Sequence, residues 1–178
     1  MPKHVAFLRS INVGGNNRIP MAPLAAMFRD LGHADVQTYI QSGNVVFRPA
    51  HERPDPALDL ALEAAIQRTF ALSVRVVTRS HAELSAVLAH NPYPECPPDQ
   101  SMVVLLRDPP TPAQVANLDP QRSPPDVFTV HGREIFASCP NGFAKTKLAL
   151  DWFERKLGGV GTARNWRTVG VLVGMAAD

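Results

Sequence analysis

Apolar residues dominate Val5-Ala6-Phe7-Leu8-Arg9-Ser10-Ile11, which reads as a buried strand with Val5, Phe7, Arg9 and Ile11 on one face and Arg9 its odd member. After a glycine-bearing loop the period changes. Met21, Leu24, Met27, Phe28 and Leu31 fall on one side of a helix over about 20–31, with Pro23 in its first turn and Gly32 as its stop. Residues 36–41 and 44–48 read as two strands turning at Ser42-Gly43. Asp55-Pro56 opens a helix in which Leu58, Leu62, Ile66 and Phe70 recur every four residues, and residues 74–78 are a fourth strand. Strand, helix, strand, strand, helix, strand is the split arrangement of ferredoxin-like folds.

The second half nearly repeats this order. Ser80-His81-Ala82-Glu83 is a capping box for a linking helix to about His90, and Thr111-Pro112-Ala113-Gln114 is a second one, after a strand over 102–106. Residues 127–130 and 134–137 form a hairpin about His131-Gly132, and a helix carrying Leu148, Trp152 and Phe153 runs to Gly158. A last helix is expected from near Thr162, with Thr162 as its cap, Trp166, Val169 and Leu172 as its stripe, and Arg164 and Asn165 in the first turn. The fold class is therefore α+β: a ferredoxin-like lobe over 1–79, and a second lobe over 80–178 that is a partial repeat, lacks a closing strand and ends in a C-terminal helix. The two are expected to share one compact unit.

Composition narrows the class. An apolar fraction of 45% and a charged fraction of 19% suit a soluble globular chain. The doublets Pro97-Pro98, Pro109-Pro110 and Pro124-Pro125 fall between elements and read as stiff loops. The two cysteines, Cys96 and Cys139, lie outside any C-x-x-C spacing, which points to a reduced, cytoplasmic setting. No apolar run is long enough to cross a membrane. A net charge of +2 is too small to imply a nucleic-acid binder. Positive charge does gather between Lys145 and Arg167, where Lys145, Lys147, Arg155, Lys156, Arg164 and Arg167 face only Asp151 and Glu154.

Two polar stretches stand out: Arg9-Ser10-Ile11-Asn12-Val13-Gly14-Gly15-Asn16-Asn17 and Thr38-Tyr39-Ile40-Gln41-Ser42-Gly43-Asn44. Glycine permits close backbone approach, while Asn, Gln and Ser donate and accept without a particular protonation state. In a sheet of order 4-1-3-2 the first two strands are parallel, so both stretches should meet at one edge. The first helix then begins beside them, and its unpaired N–H groups suit an anion. Arg164, expected at the start of the last helix, opposes the helix dipole: either the side chain simply points into water, the favoured reading, or a carboxylate of the protein or of a ligand compensates it.

These segments also carry a family resemblance. LRSINVGG (8–15), TYIQSGNVVF (38–47) and TARNWRTV (162–169) closely resemble the signatures of the domain of unknown function 1697 family, bacterial proteins without an assigned activity. The resemblance extends over essentially the whole chain and implies two ferredoxin-like α+β subdomains. It places Arg9, Asn12, Gly14, Gly15, Thr38, Tyr39, Ser42, Gly43, Asn44, Thr162, Arg164, Asn165 and Trp166 at motif positions. Ser10 departs from the family's usual glycine, and Arg18 stands where lysine is frequent.

Reaction chemistry is harder to find. His4, His33, His51, His81, His90 and His131 show no metal-ligand spacing, no nucleophile elbow occurs, and neither a metal nor a cofactor is expected. The leading expectation is a small anionic or nucleotide-like ligand in a polar cleft between the lobes, charged by Arg9 and Arg164 and oriented by Asn12, Ser42, Asn44 and Asn165. Alternatives are an enzyme acting on a phosphorylated or carboxylated metabolite through Tyr39 or Ser42, and a weak single-stranded nucleic-acid binder. The last would use the basic segment or stacking on Phe7 and Phe47. A fourth reading makes the polar motifs purely structural.

Overall fold

The computed structural model describes residues 1–51 and 55–177. Among them the chain is α+β, with two four-stranded antiparallel sheets and six helices. It divides into two compact units, residues 1–85 together with the last helix from Val171, and residues 86–170. The end of that helix thus groups with the first unit, where the sequence had put all of 80–178 in one lobe.

The first unit runs β1 (His4–Leu8), α1 (Met21–Asp30), β2 (Ala34–Tyr39), β3 (Asn44–Arg48), α2 (Asp55–Phe70) and β4 (Val76–Ser80). Its sheet has the order β2-β3-β1-β4 with every neighbour antiparallel, so β1 and β2 run in parallel as expected. Ala6 stands opposite Val45 and Thr78, and Leu8 opposite Val76. These fix the face on which Ala6, Leu8, Val45, Phe47 and Val76 join Leu24 and Phe28 of α1 and Leu58, Leu62 and Ile66 of α2 in one core. Phe28 meets Phe47 edge-on at 5.0 Å. β2 lies at the sheet edge and carries a bulge between Ala34 and Gln37, where Asp35 takes φ 52°.

Register also separates two residues that sequence had grouped. His4 pairs with Phe47 but Phe7 with Asn44, an odd offset, so Phe7 and Phe47 project from opposite faces. Phe47 is wholly buried in the helix-side core and Phe7 is equally buried on the other face, so the two offer no stacking platform.

The second unit contains the end of α3 (His81–Ala89), then β5 (Ser101–Leu106), α4 (Pro112–Val115), β6 (Val127–His131), β7 (Glu134–Ser138), α5 (Leu150–Leu157), β8 (Gly161–Asn165) and the start of α6 (Trp166–Ala176). Both capping boxes form: Ser80 N donates to Glu83 Oε2 at 2.8 Å, and Thr111 N to Gln114 Oε1 at 2.7 Å. Gly158 ends α5 in the left-handed conformation at φ 67°. Val104, Leu106, Ile135, Ala137, Leu148, Trp152, Phe153 and Leu157 build the core of this unit.

Here the expected partial repeat is corrected. The sheet is complete, in the order β6-β7-β5-β8, because residues 161–165 are a strand rather than the head of a helix. β8 pairs antiparallel with β5, Arg164 opposite Val103 and Gly161 opposite Leu106. A Cβ at Gly161 would lie 3.3 Å from Leu105 O and 3.0 Å from Leu106 Cδ2, so the bare glycine lets the two strands approach. Asn165, not Thr162, caps α6: its Oδ1 accepts from Thr168 N at 2.8 Å.

Candidate functional site

The two polar stretches meet in the first unit, and side-chain amides join them. Asn12 Nδ2 donates to Gln41 O at 2.8 Å and to Ile19 O at 3.0 Å, while its Oδ1 accepts from Ile19 N at 2.9 Å. One side chain therefore holds both ends of the first loop and the turn after β2. Between those ends Asn12–Asn17 folds back on itself: Asn12 N donates to Asn17 O and Asn16 N to Val13 O, with Gly14 and Gly15 at φ 59° and 81°. Two consecutive positive φ values are those of a type I′ turn, which explains the glycine pair without a ligand.

The turn from β2 to β3 is built as tightly. It spans four residues, 40–43, rather than the two expected. Asn44, fully buried, donates from Nδ2 to Tyr39 O at 3.0 Å and to Ser42 Oγ at 3.1 Å. Gly43 has φ 80°, and its carbonyl accepts from Leu8 N at 2.8 Å. A Cβ there would fall 2.7 Å from Ile11 Cδ1 and 2.9 Å from Leu8 Cβ, so glycine is required for both conformation and space. Arg9 is half-buried, past the end of β1, and its N–H donates to Arg75 O at 2.8 Å. Thr38 and Tyr39 are half-buried at the end of β2.

What these bonds leave open is a cleft of about 410 Å³ lined by Asn12, Gly15, Arg18, Ile19, Pro20 and Gln41. Arg18 and Gln41 are exposed along it. Pro20 is the cap residue of α1, which has neither a side-chain cap bond nor an acidic residue in its first turn, so the positive end of that helix adjoins the cleft. Arg18 and Gln41 are the residues that the motif reading undervalued; their signal was position, one at the foot of the glycine loop and one inside the second stretch.

The third motif lies in the second unit. Arg164 is buried on β8, its Nη1 donating to Thr162 Oγ1 and to Ala163 O, both at 2.8 Å. Burial lowers its pKa to about 10. Arg164 therefore leaves the exposed basic segment, in which Arg155 also stands 4.0 Å from Asp151. Thr162 is buried, Asn165 caps α6, and the Trp166 ring sits 6.1 Å from Phe136. Cys139 is fully buried, and burial pushes its thiol above the usual range, against the behaviour of an activated nucleophile. Among the described residues no cluster of three or more His, Cys, Asp or Glu could hold a metal ion, and no helix is long and apolar enough to cross a membrane.

Comparison with known proteins fits this picture. None of the curated proteins matches the chain. Among solved structures, the conserved bacterial protein SP0830 from Streptococcus pneumoniae is similar over 99% of both chains, with a TM-score of 0.76 at 22% identity, a likeness that establishes the shared fold. Residues 1–136 match the family described as protein of unknown function (DUF1697), which takes in the first two polar motifs with the whole first sheet, and the chain belongs to that family.

Proposed function

We propose that the protein binds a small anionic or nucleotide-like ligand in the cleft between the glycine turn and the β2–β3 turn. The observation that carries this reading is a division of labour among polar residues. Asn12 and Asn44 are used internally and make the two turns rigid, whereas Arg18 and Gln41 stay exposed on the cleft beside the uncapped start of α1. A preformed wall with one cation, one amide and a helix N-terminus is suited to a carboxylate or phosphate. The strand order of both sheets supports assigning each unit to the ferredoxin-like class, with the ligand at the end of the first unit's parallel pair β1 and β2.

Titration of isotope-labelled protein with adenosine monophosphate, read by amide NMR, tests the proposal. Shifts are expected at Gly15, Ile19, Gln41 and the first residues of α1, and Arg18→Gln should weaken binding about tenfold, equivalent to ~1.4 kcal/mol. Equal affinity in wild type and Arg18→Gln, or shifts confined to residues away from the cleft, would remove it.

A further inference from the structure

A second, separate cleft of about 690 Å³ opens on the first unit, lined by Lys3, Arg29, Asp35, Val36, Gln37 and Arg48. Three elements supply its charge. Lys3 leads into β1, Arg29 is in the last turn of α1, and Arg48 ends β3. Among the described residues the lining sets against three cations one carboxylate, Asp35, whose Oδ2 accepts from Arg48 Nε at 3.0 Å. The other two are fixed differently: Lys3 Nζ donates to Ala177 O at 2.9 Å and Arg29 Nη2 to Val36 O at 3.4 Å. A carbonyl orients a cation without cancelling its charge.

The geometry points to this cleft as a binding site for a phosphate monoester. A phosphate monoester carries about −1.5 to −2 charges near neutral pH, which suits a lining whose described residues are three cations and one acid. The volume lies within the ~300–1,000 Å³ usual for metabolite sites, so space is left for the rest of the molecule. The bulge in β2 and the left-handed Asp35 place this acid against Arg48, so Arg48 is the cation whose charge is offset while Lys3 and Arg29 meet carbonyls.

Two variants push the site in opposite directions. Arg29→Gln removes an exposed cation; Asp35→Asn removes the acid while keeping a residue type that tolerates φ 52°. Inorganic phosphate is the probe, titrated calorimetrically and by amide NMR into the full chain at low and at moderate salt. One charge a few ångströms from a dianion near the surface changes affinity by about fivefold or more, so Asp35→Asn should tighten phosphate binding and Arg29→Gln weaken it by that factor. Read site by site in the NMR titration, Arg18→Gln should weaken the response at Gly15 and Gln41 and leave that at Lys3, Val36 and Gln37 unchanged. Absence of phosphate binding, identical affinity in the three proteins, or weaker binding by Asp35→Asn overturns the assignment. If Arg18→Gln alone abolishes binding, phosphate belongs to the cleft at the glycine turn, and this second site falls while the first reading stands.

Discussion

Gly43 and Gly14 make a matched pair in which one substitution separates space from conformation. Both have positive φ, 80° and 59°, so alanine at either position meets the same backbone penalty, ~1–2 kcal/mol. Only Gly43 adds a collision. Its Cβ would stand 2.7 and 2.8 Å from two carbons of Ile11 and 2.9 Å from Leu8 Cβ, whereas nothing lies within 4 Å of a Cβ at Gly14. Leu8 and Ile11 are core residues with 1% exposure or less, and overpacking of such a site costs ~1–3 kcal/mol. Gly43→Ala should therefore destabilise by about 2–5 kcal/mol and Gly14→Ala by about 1–2. Urea denaturation followed by far-ultraviolet circular dichroism is the appropriate assay, because Trp152 and Trp166 both lie in the second unit and fluorescence would report on the wrong sheet. Equal losses in the two variants would refute the steric argument.

Other residues give further tests. Asn44→Ala removes the part-buried hydrogen bonds to Tyr39 O and Ser42 Oγ and should cost about 1–3 kcal/mol, with loss of amide-exchange protection concentrated in residues 40–43. Asn165→Ala should cost about 1 kcal/mol and expose the Thr168 amide to exchange, while retention of that protection would deny Asn165 its capping role. Iodoacetamide at pH 8 should label Cys96 and spare the buried Cys139, as read by peptide mass mapping. Because burial raises the folded-state pKa of Cys139 above its ordinary 9.0, the unfolded thiol ionises first. Its contribution to stability is complete below that value and declines as pH rises past it, so Cys139→Ala should flatten the loss in denaturation midpoint between pH 8 and pH 10.

Sequence pattern resolved what depends on local chemistry. The capping boxes at Ser80 and Thr111, the helical stripe of Leu58, Leu62 and Ile66, and the stop at Gly158 were all legible, since each is written within a few residues. What failed was decided by distant partners. Gly161-Thr-Ala-Arg-Asn has little intrinsic strand character and becomes β8 through its pairing with β5. Thr162 looked like a cap because the apolar stripe beyond it is helical, yet the helix starts at Trp166, directly after a second capping residue type, Asn165, three residues further along. Phe7 and Phe47, grouped in sequence as stacking candidates, fall on opposite faces through a register that no local pattern gives. Within the candidate site, the meeting of the two polar stretches followed from topology, but the use of Asn12 and Asn44 as internal ties depends on bond partners that no motif names. The basic cleft of Lys3, Arg29 and Arg48 draws on three elements and has no linear signature at all.

The edges of the two sheets are guarded unequally. β2 is bulged at Asp35 and bears the Arg48 ion pair, features that discourage a foreign chain from extending the ladder. β6 is a regular edge of sequence Val-Phe-Thr-Val-His, with no Lys, Arg, Asp, Glu or Pro, and Val127 is 45% exposed. Self-association of concentrated protein should thus begin by strand addition at β6, which makes its exposed Val127, rather than Thr129 whose hydroxyl meets Tyr93 Oη at 2.7 Å, the natural place for a solubilising charge.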